Sequence, residues 1–151
     1  MTHAEKARDL FLEGYSCSQA VFIAYCDLTG IDEKAAALIA SSFGGGMGRM
    51  REVCGAVSGM FMAVGILYGY DDPSATSEKT AHYARIQELA KRFKERNTSI
   101  ICRDILGKIA ADKSFIPQER TEKYYSTRPC AKMVYDAAEI LEQYIAEQEK
   151  I

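Results

Sequence analysis

The chain has 151 residues, 48% of them apolar and 26% charged, a balance that fits one compact domain over residues 1–151 and excludes a disordered or fibrous chain. Nineteen Lys and Arg against 21 Asp and Glu leave a formal net charge of −2, which offers no electrostatic footprint for nucleic acid or an anionic membrane. A chain of this length hides roughly 68–70% of its unfolded surface on folding, so it needs neither disulfides nor a metal merely to fold.

In chain order, Thr2 and Glu5 form a capping-box pattern, Leu10 and Phe11 supply apolar surface, and Gly14 stops a first helix. Ser16 and Gln19 repeat the spacing for a second helix carrying Ala20, Val21, Ile23 and Ala24, which Gly30 ends. Asp32 caps a third, with Ala35, Ala36, Leu38 and Ile39, before a glycine-rich loop from Ser41 to Gly48. Val53 to Tyr70 then runs 18 residues without a charge, the lower limit for a membrane span. Its four glycines, with Cys54, Ser58 and an amphipathic remainder, favour a buried central helix instead. Asp71-Asp72-Pro73-Ser74 breaks it, and a charged helix spans about Ser77 to Arg96. Ser99 is placed to cap a helix with Ile101, Ile105, Leu106 and Ile109. Pro117 and the polar stretch Gln118 to Lys123 mark a loop or short helical turn. Pro129 opens a last helix bearing Val134, Ala137, Ala138, Leu141 and Ile145, whose end from Glu147 to Ile151 is expected to fray. No strand pattern of convincing length occurs, so the fold class is all-α, a single-domain bundle of about six to seven helices. The N-terminus lacks the apolar core of an export signal, which predicts a cytoplasmic protein with no membrane span.

Five cysteines stand at 17, 26, 54, 102 and 130, with no C-x-x-C among them, which excludes a thioredoxin-type dithiol, a zinc ribbon and c-type haem attachment. Cys17, Cys102 and Cys130 each fall in the first turn of a predicted helix, and Cys54 leaves the glycine-rich loop as the apolar helix begins. Helix N-termini favour thiolate over thiol, making these four reactive candidates. Free thiolates gathered together would repel by roughly 4 kcal/mol per pair at about 4 Å and an effective dielectric near 20. Protonation, disulfides or a shared metal centre would remove that repulsion, and four helix ends supplying about +2 suit a cluster of net charge near −2. Cys26, near the far end of the second helix, reads as a small core hydrophobe.

Cys54-Gly55-Ala56-Val57-Ser58-Gly59 matches C-G-A-x-x-G. With Cys17 upstream, Cys102 and Cys130 downstream and the Gly14-Tyr15-Ser16-Cys17 segment, the order resembles the C_GCAxxG_C_C family, whose redox activity is inferred from its cysteines. The resemblance implies that Cys17, Cys54, Cys102 and Cys130 are the functional set, as catalytic thiols or as ligands of an iron–sulfur cluster or other thiolate-bound metal. Cys26 has no place in the pattern. Gly55 and Gly59, four apart on one helix face, are assigned to the cofactor-binding region, where they let neighbouring helices bring their cysteines near Cys54.

The Gly44–Gly48 loop with Arg49 and Arg51 could offer amides and charge to an anion, but lacks a P-loop ending and reads as a turn that lets Cys54 approach other backbone. His3 and His82 read as solvated side chains, and Tyr124 and Tyr125 as packing aromatics near Cys130. Two functions follow. The first is a redox protein with one four-cysteine site, for electron transfer through a metal or iron–sulfur centre, the version favoured here, or for thiol–disulfide exchange with an unidentified redox partner. It allows an oxidoreductase activity without requiring one. The second is a non-catalytic helical binding or assembly module, with homo-oligomers allowed, whose cysteines are core filler.

Overall fold

Helices begin where the sequence supplies side-chain caps. Thr2 Oγ1 accepts from the Glu5 N–H at 3.1 Å and Glu5 Oε2 accepts from the Thr2 N–H at 3.0 Å, which opens α1 (His3–Leu12). Ser16 and Gln19 make the same reciprocal pair at the head of α2 (Cys17–Ala24), and Asp32 caps α4 (Glu33–Ala40). Such caps are worth about 1 kcal/mol each. The computed structural model describes residues 1–150.

The second predicted helix is interrupted at Tyr25. Its backbone leaves the helical region, its hydroxyl donates to the Ala138 carbonyl at 2.6 Å, and its ring stacks on His3 at 4.3 Å. A short helix, α3 (Cys26–Thr29), follows, closed by Gly30 in a left-handed conformation. Cys26 therefore heads a separate turn rather than ending a long helix. After a 3₁₀ turn at Ser41–Phe43, the glycine-rich segment forms the single turn α5 (Gly44–Met47), with Gly45 and Gly46 at positive φ. The uncharged stretch becomes α6 (Gly55–Tyr68) and the charged one α7 (Thr76–Asn97). Beyond them come α8 (Cys102–Leu106), a 3₁₀ turn at Gly107–Ala111, α9 (Glu122–Thr127) and α10 (Cys130–Glu149). Six helices have eight or more residues and no strand occurs among the described residues, so the chain is all-α.

Three local readings are corrected. Ser99 does not cap α8; Ile101 holds that position, and Ser99 Oγ instead accepts from the Ile101 N–H at 2.9 Å while donating to Asp104. Neither histidine is simply solvated: His82 is 9% exposed beside Arg85, and His3 bridges Glu142 and Asp27 at 2.7 and 3.0 Å. The last turn, expected to fray from Glu147, is helical as far as Glu149, with Arg92 2.8 Å from the Glu147 carboxylate; Ile151 lies outside the described residues.

At the centre, α6 buries Ala56, Val57, Met60, Ala63 and Val64 completely against α2 and α10, while α1 and α7 cover the flanks. Full burial of a Val or Met side chain stabilises by roughly 1.5–3 kcal/mol. Small residues set the spacing. A Cβ on Gly59 would stand 2.6 Å from the Ser18 carbonyl oxygen and one on Gly55 3.1 Å from the Cys17 Cβ, so α2 and α6 touch backbone to backbone only because these side chains are missing. No helix among the described residues is long and apolar enough to cross a membrane.

Candidate functional site

The close α2–α6 packing brings the start of α2 beside the start of α6. Cys17 is the first residue of α2, Cys102 of α8 and Cys130 of α10, and Cys54 is the cap residue of α6. An antiparallel bridge between Val53 and Ile101 joins the segments leading into α6 and α8: the Cys54 amide donates to the Ile100 carbonyl at 2.7 Å and the Cys102 amide to the Glu52 carbonyl at 2.6 Å. Gly46 leaves room for this, since a Cβ there would lie 2.7 Å from the Cys102 Cβ. Cys17, Cys54, Cys102 and Cys130 all line one cavity of about 270 Å³. Gly55 lines it too. Gly59 does not, and acts through the packing of α2 on α6. Cys26 is half-buried elsewhere, its thiol 3.9 Å from the Phe22 carbonyl.

Position at a helix start does not by itself make a thiolate. Burial pushes the Cys54 thiol up to about 12, although the N–H groups of Ala56 and Val57 point at its sulfur. Burial likewise raises Cys102, against the opposing pull of Arg51. Cys130 goes the other way. Contact with the Cys17 thiol, and then the guanidiniums of Arg128, Arg120 and Arg51, outweigh its burial and bring it down to about 7. Cys17 is raised as the counterpart, because its proton is held against the Cys130 sulfur and burial adds to the effect. The two thiols release their first proton easily and their second with difficulty, as an interacting pair does. Of the four candidate thiols only Cys130 is lowered; Cys54 and Cys102 are raised chiefly by burial, and Cys17 chiefly by its hydrogen bond to Cys130.

A sequence model described as "Putative redox-active protein (C_GCAxxG_C_C)" matches residues 15–144. The chain belongs to the C_GCAxxG_C_C family. No curated protein and no solved structure matches it. The matched span contains Cys17, Cys54, Cys102 and Cys130, the four cysteines that line the cavity.

Among the described residues of this family member, no group of three or more His, Cys, Asp or Glu side chains is arranged to hold a metal ion.

Sequence reasoning missed the cationic wall of the cavity. Arg49 and Arg51 were legible beside the glycine loop, but Arg120 and Arg128 also line it. Arg120 donates to the Phe11 and Tyr15 carbonyls at 3.1 and 3.0 Å, and both it and Arg128 lie over the Tyr124 ring, at 4.8 and 4.7 Å. Tyr124 is thus a cavity residue as well as a packing one; burial and the nearby cysteines push its phenol up to about 12. Arg128, two residues before Cys130, carried a readable signal in the Arg-Pro-Cys order, whereas Arg120 carried none.

Proposed function

We propose that the protein is a thiol–disulfide redox protein in which Cys130 is the attacking thiolate and Cys17 the resolving thiol, with Cys54 and Cys102 as the second dithiol of the same site. The observation that carries this reading is the contact of the Cys17 thiol with a Cys130 sulfur that this contact, with Arg128, Arg120 and Arg51 nearby, lowers to about 7. A thiol of that pKa is near the optimum for attack at neutral pH, being both ionised and still nucleophilic.

In the proposed cycle, Cys130 Sγ attacks one sulfur of an oxidised partner's disulfide. The partner's S–S bond breaks, a mixed disulfide forms, and the departing sulfur takes up a proton. Cys17 then gives up its proton and attacks Cys130 Sγ, closing the Cys17–Cys130 disulfide and releasing the partner's second sulfur as a thiol. Two electrons pass from the cysteine pair to the partner, and the reverse sequence returns them. Cycling through free thiols suits the reducing cytoplasm, where we place the protein.

The reading is tested by equilibrating the purified protein with glutathione redox buffers and mapping disulfides by mass spectrometry. A Cys17–Cys130 disulfide that appears with a single transition, and is lost in Cys17→Ala and Cys130→Ala, is the expected result. A coloured protein from oxygen-free purification, with stoichiometric iron and acid-labile sulfide, would replace it with a thiolate-bound cluster. Thiols indifferent to the redox buffer, in a colourless protein, would leave the binding or assembly module.

A further inference from the structure

Four guanidiniums line the thiol cavity, from Arg49, Arg51, Arg120 and Arg128, and no Asp, Glu, Lys or His lines it with them. Of these four, only Arg49 has a carboxylate partner among the described residues, Asp112 at 3.2 Å. The other three donate to neutral oxygens: Arg51 to the Asp112 carbonyl at 3.2 and 3.0 Å, Arg120 to the Phe11 and Tyr15 carbonyls, and Arg128 to the Gln118 side chain at 2.6 Å.

Arg51 decides the matter. It is 1% exposed, the largest fully buried side chain of the protein, and its backbone holds φ +61. A cation taken out of water is strongly disfavoured unless an anion compensates it. Cys130 supplies one negative charge when ionised, against three guanidiniums that have no carboxylate. The starts of α2, α6 and α10, helices of 8, 14 and 20 residues, add partial positive charge at the same place. Apolar Leu106 and Met133 in the lining lower the local dielectric and strengthen any attraction there.

We infer that this cavity binds an oxyanion group, such as a carboxylate or a sulfate-like group, next to Cys130, with Arg51 as its anchor. The substrate of the thiol chemistry is then a small anionic disulfide. That last step rests on the thiol-redox reading; the binding of the anion does not.

The test compares alkylation of Cys130 in the reduced full-length protein by anionic iodoacetate and neutral iodoacetamide, each of which forms a sulfur–carbon bond and expels iodide. Iodoacetate is expected to react faster and to saturate with concentration, and millimolar sulfate to suppress it competitively. The preference should reverse in the urea-unfolded chain. Arg51→Met should weaken sulfate competition about tenfold or more, as loss of a charged hydrogen-bond donor does. Should that variant fail to fold, Arg128→Ala is expected to weaken it in the same direction. If Cys130 reacts readily with iodoacetamide but shows neither a preference for iodoacetate nor sulfate competition, the anion site is overturned and the thiol reading stands. If Cys130 is inert to both reagents, the thiol reading falls. Sulfate-dependent thermal stabilisation that Arg51→Met abolishes would then still support the anion site, and its absence would overturn that site too.

Discussion

The carbonyl oxygen of Ser18 lies 2.6 Å from the point where a Cβ on Gly59 would stand, so the second residue of α2 rests on the backbone of α6. That oxygen is main chain and cannot swing aside as the end of a flexible side chain would. Gly59→Ala is therefore expected to destabilise the protein by about 1–3 kcal/mol. By displacing the start of α2, it should also weaken the Cys17–Cys130 contact. Gly65, in the same helix, faces open space. Gly65→Ala should accordingly stabilise by roughly 0.5–1 kcal/mol, and urea denaturation of the two variants reads both signs.

The Cys130 thiol, lowered to about 7 chiefly through Cys17, sets a pH profile. The rate of Cys130 alkylation by iodoacetamide should rise with pH around a midpoint near 7 and level off above it. Removing the donor in Cys17→Ala, or a nearby cation in Arg128→Ala, should move the midpoint to higher pH. An unmoved midpoint in both variants would show that neither group acts on this sulfur.

Cys54 makes an opposite prediction at alkaline pH. Its thiol is held up to about 12 by burial, against an ordinary value of 9.0. Below pH 9 both folded and unfolded forms carry the proton and stability does not depend on this group. Above it the unfolded chain loses the proton first, so stability falls by up to about 1.4 kcal/mol per pH unit until the folded thiol also ionises. Denaturant midpoints of the reduced protein between pH 8 and 11 should fall accordingly, and Cys54→Ala should make the slope shallower, leaving the part due to the likewise raised Cys17 and Cys102.

Cys26, half-buried and outside the cavity, serves as the internal control. Cys26→Ala should leave the glutathione-buffer transition and the thiol count lost on oxidation by the other four cysteines unchanged. A transition that disappears in this variant would mean that the wrong cysteines have been grouped.

Much of the fold was legible because it is written locally. The caps at Thr2, Ser16 and Asp32 lie within three residues of the amides they satisfy, and Ser16 and Pro129 mark the helix starts at Cys17 and Cys130 from the adjacent position. Ser99 misled because it bonds to Ile101, two residues on, in a turn rather than reaching into the helix. α9 went unread as a defined helix because only six residues separate its Thr121 cap from Arg128. In the candidate site, sequence pattern reached the sulfurs but not their ionisation, which depends on burial arising from the packing of α2, α6 and α10. Arg120 is the clearest case: it reaches the cavity from a loop remote from three of the four cysteines, and no spacing rule connects it to them.

The Val53–Ile101 bridge gives the site a tolerance that its glycines lack. Backbone amides carry its rungs, so the separation of Cys54 from Cys102 is indifferent to which side chains occupy positions 53 and 101. Val53 still has to fill its place against the core, but the registration of the thiols it flanks is carried by main chain.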